Sequence, residues 1–293
     1  MQKIKQSLPE TIFDFFNYFL MAVLIISMLY PFIYTLNISF ADPSDASAGG
    51  YFIIPKSFNL TAYKNIISDG MFWIGYKNTI LRTLIGTVLS VFMTCLCAYP
   101  LSRRDMPHRK LFTFIVIFTM IFSGGLIPNF ILYNNLGLID NPLIYILPGL
   151  IAAFNVILVK NFFQGISNSL HEAASIDGAS EWYIFTRLYL PLSKPIIATI
   201  ALFNAVGHWN AWFDSLLFIN SEGKKVVQTF LQRIAIEGDT SLIESGLVSD
   251  AVQMTPESIK AAIVIVTIVP MLCVYPFVQK FFNKGIMLGG VKE

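Results

Sequence analysis

Charge is scarce in this sequence. Asp, Glu, Lys and Arg make up 13% of its 293 residues, against about 25% in an ordinary soluble domain, and hydrophobic residues make up 55%. Six runs contain none of these four charged residues: 15–41, 83–102, 111–139, 141–159, 195–213 and 261–279. Because about 20 apolar residues let a helix cross the hydrocarbon of a bilayer, the sequence predicts an all-α membrane protein with six transmembrane helices.

The residues that build catalytic and metal sites are few and dispersed. The sequence has three cysteines and three histidines, at Cys95, Cys97, Cys273, His108, His171 and His208. It has no G-x-x-x-x-G-K-[ST] phosphate loop, the motif that would indicate a nucleotide site, and no basic run typical of nucleic-acid binding. We therefore expect no catalytic residue, no metal site, no disulfide, no cofactor and no nucleic-acid partner in this chain.

Basic residues in the short loops predict the orientation. The segment 102–110 holds four Lys or Arg residues in nine positions, whereas 133–141 holds none. Since Lys and Arg favour the cytoplasmic side, we place the 102–110 loop in the cytoplasm. An even number of spans then puts both termini there as well. The first apolar run is about twice a signal-peptide core in length, so we expect an uncleaved first span.

The predicted organisation has three parts. Residues 1–74 hold the N-terminal span and the first extracytoplasmic segment, 75–280 form the membrane core, and 281–293 form a cytoplasmic tail. The six spans are expected at about 14–40, 75–101, 111–132, 142–163, 195–219 and 258–280.

The loop between the fourth and fifth spans, 167–195, carries signals of its own structure. Ser169 followed by Glu172 is a capping-box pattern that begins a helix, and Gly178 can end it in a left-handed conformation. A second helical stretch is predicted from Ser180 to the prolines before the fifth span. One side of the first helix would present a surface that another protein could approach closely: Leu170, Ala173, Ala174 and Asp177.

The same loop resembles a known motif. Glu172-Ala173-Ala174, then Asp177-Gly178-Ala179, then Pro191 and Pro195 are similar to the EAA motif of binding-protein-dependent ABC importer permeases, over about 75–280. The ending 279–293 is like the carbohydrate branch, which includes maltose-type and polysaccharide or alginate-type permeases. The resemblance implies a type I ABC importer permease fold in the bacterial cytoplasmic (inner) membrane, with an EAA loop at about 167–195.

The resemblance also implies a division of labour among subunits. The chain would be a permease subunit that forms half of the path for a carbohydrate, such as a neutral oligosaccharide or an acidic one like alginate. Its partners would be a second, homologous permease chain, two cytoplasmic ATP-binding-cassette subunits that bind ATP and Mg, an extracytoplasmic solute-binding protein, and membrane lipid. The chain itself would not be an enzyme. Coupling to the ATPase would involve Leu170, Glu172, Ala173, Ala174, Asp177 and Gly178.

The fifth predicted span carries the densest set of polar and aromatic side chains. Asn204, His208 and Trp212 are spaced four apart and would share one helix face, with Trp209 beside them. Two interpretations remain open. These residues either form packing hydrogen bonds and interfacial anchors, or they line a translocation path in which rings, amide and imidazole contact sugar.

Two other classes of protein are less consistent with the sequence. A secondary transporter would need intramembrane carboxylates for ion coupling. Apart from Asp14, at the very start of the first predicted span, Asp214 is the one carboxylate that falls inside a predicted span. A membrane enzyme would need a nucleophile–base pair or a metal cluster, which three scattered histidines do not supply. Co-purification with an ATPase would separate an importer from both.

Overall fold

The computed structural model describes residues 8–42, 58–233 and 256–285, and these residues are almost entirely helical. Side chains of the last helix are described from 257 to 273. The helices are α1 (Leu8–Phe40), α2 (Thr61–Ser68), α3 (Gly70–Ser102), α4 (Arg109–Ile121), α5 (Leu126–Asn135), α6 (Ala153–Gln164), α7 (Asn168–Ile176), α8 (Glu181–Leu192), α9 (Lys194–Asn210), α10 (Phe213–Phe218), α11 (Val227–Gln232) and α12 (Pro256–Gly285). Short 3₁₀ turns lie at Pro142–Tyr145 and Glu222–Lys224.

The described residues form two compact units. The first comprises the residues up to Asp69 together with 256–268. In it, the end of α1 is fastened to α2, because the Ser39 and Tyr63 hydroxyls lie 2.6 Å apart and Phe40 stacks on Tyr63 with 5.1 Å between ring centroids. Most of α1 is apolar and exposed, as a lipid-facing helix should be.

The second unit comprises Gly70–Arg233 and, in the last helix, 269–285. Its long helix α3 packs along α9 and α6. At one end of α3 the core is aromatic: the Tyr99 ring lies 5.2 Å from Phe185, 4.9 Å from Tyr189 and 6.5 Å from Phe163, between centroids. This cluster joins the end of α3 to α6 and α8, and so it packs the 167–195 loop against these helices.

Three predicted spans are not single helices. The third, 111–132, is broken into α4 and α5, which are bent by 113° at a stretch that includes Gly125 with φ +86°. A glycine in that conformation ends a helix readily. The fourth, 142–163, begins with a 3₁₀ turn and is α-helical only in α6. The 12 residues of α6 reach about 18 Å, less than the hydrocarbon thickness. The prolines and glycine at 142–149 explain why the first part of this span is not α-helical, since proline has no N–H to donate to the helix hydrogen bonds.

The fifth predicted span, 195–219, is interrupted as well. α8 and α9 meet at an angle of 82°, α9 ends at Asn210, and α10 begins only at Phe213. Within the described ranges, two helices, α1 and α3, are long and apolar enough to cross a membrane, or up to four spans if each bent pair counts as one. The count of six spans and the cytoplasmic termini remain predictions.

Candidate functional site: the 167–195 loop and the polar groups of the core

The first helix of the loop begins two residues earlier than the capping-box pattern predicted. α7 begins at Asn168, and Ser167 occupies the capping position without a side-chain cap hydrogen bond. The predicted capping box is wrong: the Ser169 hydroxyl lies 2.7 Å from that of Ser167, and Glu172 accepts a hydrogen bond from the Asn168 amide instead. Asn168 and Glu172 stand one turn apart on the same face, which explains why this pairing replaces the box.

The end of α7 follows the prediction. Gly178 has φ +81°, the left-handed conformation that favours glycine. The Gly178 N–H donates to the Ser175 carbonyl over 3.1 Å, and the Ala179 N–H donates to the Ala174 carbonyl over 3.0 Å. These two bonds form a Schellman motif, which satisfies carbonyls that the helix end would leave unpaired. Ser180 then caps α8, since its hydroxyl accepts the Tyr183 N–H, so the predicted helix, tight turn and helix are confirmed.

A π-helical turn, which the sequence did not predict, follows within α8 at Phe185–Tyr189. Pro191 lacks an N–H and its ring collides with the carbonyl four residues earlier in a regular α-helix. A local π turn relieves such a conflict by shifting the hydrogen-bond ladder. Pro191 therefore lies inside α8, and the sharp bend comes after Leu192 instead.

The inward side of α7 is anchored by polar contacts to α3 and α8. His171 is 5% exposed, and its Nε2 lies 3.1 Å from Glu181 Oε1. The Tyr99 hydroxyl, near the end of α3, donates to Glu181 Oε2 over 2.5 Å. The hydrogen bond from Tyr99, and then that with His171, lower the pKa of Glu181, so the carboxylate is charged at neutral pH. The loop is thereby tied directly to a long membrane helix.

The outward side of α7 is an exposed surface of small and apolar residues. Ala173 lies in its middle, Leu170 stands one turn before, and Ile176, 86% exposed, stands one turn after. Ala174 does not belong to this side, because it packs against the aromatic core around Tyr99. The other predicted coupling residues, Glu172, Asp177 and Gly178, are exposed. We call Leu170, Ala173, Ile176 and Asp177 the outward face of α7.

The four predicted path residues do not share one face. Asn204 and His208 lie on α9, and the Asn204 amide donates to the Ile200 carbonyl of its own helix over 2.8 Å. Trp209 is buried, with its ring 5.8 Å from that of Tyr76 in an edge-on contact. Trp212 lies beyond the end of α9, where the helix phase is lost. The predicted i, i+4, i+8 alignment is therefore wrong at Trp212.

An ion pair in the core was not predicted. Arg82 of α3 is 5% exposed and binds Asp214 of α10 through both guanidinium Nη atoms. Arg82 Nη1 also donates to the Ala211 carbonyl over 3.2 Å, and the guanidinium carbon lies 4.6 Å above the Tyr145 ring. A buried arginine needs such compensation. The sequence could have predicted this pair. An arginine inside a predicted span needs a carboxylate partner, and Asp214 lies inside another predicted span.

Further polar contacts join the connection after α5 to the segment after α10. Asp140, at φ +54°, accepts from Lys224 Nζ over 2.7 Å and from the Ser221 hydroxyl over 2.7 Å. These two groups, Lys224 first, hold the pKa of Asp140 well below its usual range. The Tyr145 hydroxyl donates to Lys224 O over 2.9 Å and lies within hydrogen-bond distance of Ser215 Oγ, also at 2.9 Å. Asp140 and Asp214 thus each have a fixed cationic partner, Lys224 and Arg82. For Asp214, this pairing disfavours a role in ion coupling.

Comparison with known proteins agrees with this architecture. Residues 72–287 match the family of binding-protein-dependent transport system inner membrane components. The polygalacturonan/rhamnogalacturonan transport system permease protein YtcP of Bacillus subtilis is 41% identical over 97% of this chain and 100% of its own length. Protein LplC of the same organism is 43% identical over 89% and 88% of the two chains.

A solved structure shows the same fold. A chain of a bacterial ABC transporter involved in the import of the acidic polysaccharide alginate superposes with a TM-score of 0.89 at 34% identity, covering 96% of this chain and 100% of that one. The type I permease fold expected from the loop motif is therefore confirmed. The match extends beyond the motif to almost the whole length of the chain. This protein belongs to the family of binding-protein-dependent transport system inner membrane components, and it is a permease of an ABC importer for sugar or polysaccharide.

Proposed function

We propose that the outward face of α7 docks on a separate cytoplasmic ATPase subunit and passes its movement to the membrane helices. The observation that carries this proposal is the two-sided construction of α7. Its inward side is fixed to α3 through His171, Glu181 and Tyr99, while its outward side exposes Leu170, Ala173 and Ile176. A rigid helix held on one side and open on the other can transmit a push, because packed elements shift as units.

The aromatic residues that begin α8 enlarge this surface. Trp182 and Tyr183 are each 57% exposed and follow directly after the turn at Gly178. Exposed apolar groups rimmed by polar ones are typical of protein interfaces, and aromatic residues are frequent among their strongest contacts. ATP and Mg would be bound by the docked subunit, and this chain would contribute no catalytic residue.

For the substrate we propose an acidic oligosaccharide of the uronate type. The relative YtcP is named for polygalacturonan and rhamnogalacturonan, and the matching solved transporter for alginate. This chain would form half of the path, with a second permease chain as the other half and an extracytoplasmic binding protein delivering the sugar. Asn204, His208, Trp209 and Trp212 remain the proposed path residues. The burial of Trp209 against Tyr76 favours packing over sugar contact at that position.

The test of coupling is Ala173→Trp in the assembled importer. Ala173 is exposed at the centre of the outward face, so a bulky side chain leaves this chain's own core intact but blocks a close protein contact. We expect normal membrane insertion, with ATPase subunits lost on purification or with ATP hydrolysis no longer stimulated by oligogalacturonides. Subunit retention, transport and stimulated ATP hydrolysis are the measurements.

The matched control is Ala173→Ser, which adds one atom at the same position and should behave as the wild type. Neutral maltooligosaccharides serve as the comparison sugar and should not stimulate hydrolysis. Wild-type transport and subunit retention in Ala173→Trp would refute docking through this face. Equal stimulation by neutral and acidic sugars would refute the proposed substrate class while leaving the docking proposal standing.

A further inference from the structure

A polar cavity of about 520 Å³ lies beside the start of α7. It is formed where α3 ends, where α4 begins and where α6 passes into the 167–195 loop. Among the described residues, no Asp or Glu lines it. The polar side chains on its wall include those of Arg103, Arg104, Arg109, Gln164, Ser167 and Asn168.

Three arginines and no carboxylate line the described wall of this cavity. Arg103 pairs with Asp105, its Nε lying 3.3 Å from Oδ1, and its Nη1 donates to the Asn168 side chain over 3.2 Å. Arg109 donates to a neutral acceptor, the Arg103 carbonyl, over 3.3 Å. Arg104 makes no hydrogen bond or ion pair with any described residue. Asp105 pairs with Arg103, Glu172 accepts from Asn168, and Glu181 lies within electrostatic reach of Arg103. None of these carboxylates lines the cavity, so the charged side chains on the wall itself are all cationic.

The beginning of α7 adds further donors. Ser167 and Asn168 line the cavity at the N-terminus of this nine-residue helix. No side chain caps that end. The Leu170 N–H donates to the Ser167 carbonyl, and the N–H groups before it precede the helix's own hydrogen-bond ladder. Such groups attract anions, and arginine forks match the oxygens of a phosphate.

The surroundings of the cavity are those of a bilayer surface. α3 runs as a long apolar helix up to Ser102 beside the cavity, and α4 begins at Arg109. α4 has no buried residue, and Leu111, Phe112 and Phe114 are about half exposed or more. A phosphate in the cavity would lie at the end of an apolar helix surface on which acyl chains can pack.

We propose that this cavity binds the phosphate headgroup of an anionic phospholipid, with its acyl chains along α4. The assignment rests on the proposed function in one respect, the cytoplasmic placement of the 102–110 loop. The bound lipid would brace the start of α7, on which the coupling surface is built. The size of the cavity and its continuity with the apolar α4 favour a lipid over a protein segment.

The experiment uses the purified importer, delipidated and then supplied with phosphatidylglycerol or phosphatidylcholine, with retained lipid counted by native mass spectrometry. We expect retention of phosphatidylglycerol over phosphatidylcholine, reduced about fivefold in Arg104→Gln/Arg109→Gln. Arg104→Gln alone, at an exposed side chain that makes no contact of this kind with the described residues, should show part of this loss without affecting folding. Lys110→Gln, which removes a neighbouring charge that does not line the cavity, should retain lipid as the wild type does.

Several outcomes would overturn the assignment. These are equal retention in the double variant, equal retention of the two lipids, or displacement of phosphatidylglycerol by inorganic phosphate or glycerophosphoglycerol at similar concentrations. Loss of ATPase subunits with unchanged lipid would assign the cavity to an acidic protein partner instead. Stimulation by oligogalacturonides is measured in the same preparations. Lipid binding that follows the expectation without stimulation would count against the proposed function and leave this assignment standing.

Discussion

At the scale of single residues, the second unit contains a buried ion pair whose two partners differ in exposure. Arg82 is nearly inaccessible, whereas the Asp214 side chain remains 26% exposed. The cost of an unpaired charge grows with its burial. The two partners should therefore respond unequally to loss of the other.

We predict that Asp214→Asn destabilises the protein more than Arg82→Gln. The first variant leaves a buried guanidinium without its carboxylate, at a cost of up to about 3–5 kcal/mol. The second leaves a carboxylate that water can reach. Thermal unfolding of the solubilised protein measures the stability of both variants. The double variant should lose less stability than the two single variants lose together. Strictly additive losses would show that the pair is not coupled.

At the scale of helices, the contact between α3 and α9 depends on a missing side chain. A Cβ at Gly86 would stand 2.5 Å from His208 Nε2. The imidazole therefore occupies the space that a Cβ at position 86 would need, so His208 or the helix contact must shift if position 86 carries a larger residue. His208 is thus part of the helix packing, whatever further role it has in the path.

We predict that Gly86→Ala destabilises the protein by about 1–3 kcal/mol, the usual cost of overpacking. Adding His208→Ala should recover much of the loss, since it vacates the space that the new methyl group needs. Gly207→Ala is the matched control on α9, because a Cβ added there would meet no described atom within 4 Å, and it should be neutral or slightly stabilising. Unfolding temperature measures all of these variants, and failure of the second substitution to restore stability would contradict the packing explanation.

At the scale of the whole molecule, the orientation in the membrane decides whether the 167–195 loop can meet a cytoplasmic partner. The basic loop 102–110 and the cavity arginines lie beside α7 in the same unit. The 102–110 loop and α7 should therefore face the cytoplasm together. The uncharged segment 133–137, which covers the end of α5 and the two residues after it, should face outwards.

We predict that a single cysteine at Asn135 reacts with a membrane-impermeant maleimide from outside, whereas cysteines at Asp105 and Glu181 do not. The background replaces Cys95, Cys97 and Cys273. Asp45 and Glu244 are further positions predicted outside, and they lie beyond the described residues. Permeabilised cells provide the control that the two inner cysteines are reactive at all. Labelling of Glu181→Cys from outside would reverse the topology and refute docking on a cytoplasmic ATPase.

The sequence by itself determined the features that depend on a few neighbouring residues. Runs without charge identified a membrane protein, and Gly178 and Ser180 identified the turn and the second helix of the loop. These signals are legible because a left-handed glycine or a serine cap acts on backbone groups within one turn. The EAA resemblance then indicated the family, and the comparisons confirmed it.

Only the tertiary structure decided which faces meet. Arg82 and Asp214 are 132 positions apart, and nothing local records that α3 and α10 bring them together. The hydrophobic pattern of the sequence also did not predict that Ala174 faces the core or that His208 contacts Gly86. Nor did it predict the breaks within the third, fourth and fifth predicted spans. Hydrophobic runs indicate burial in lipid or in protein alike, so they do not distinguish a straight span from a bent pair of helices.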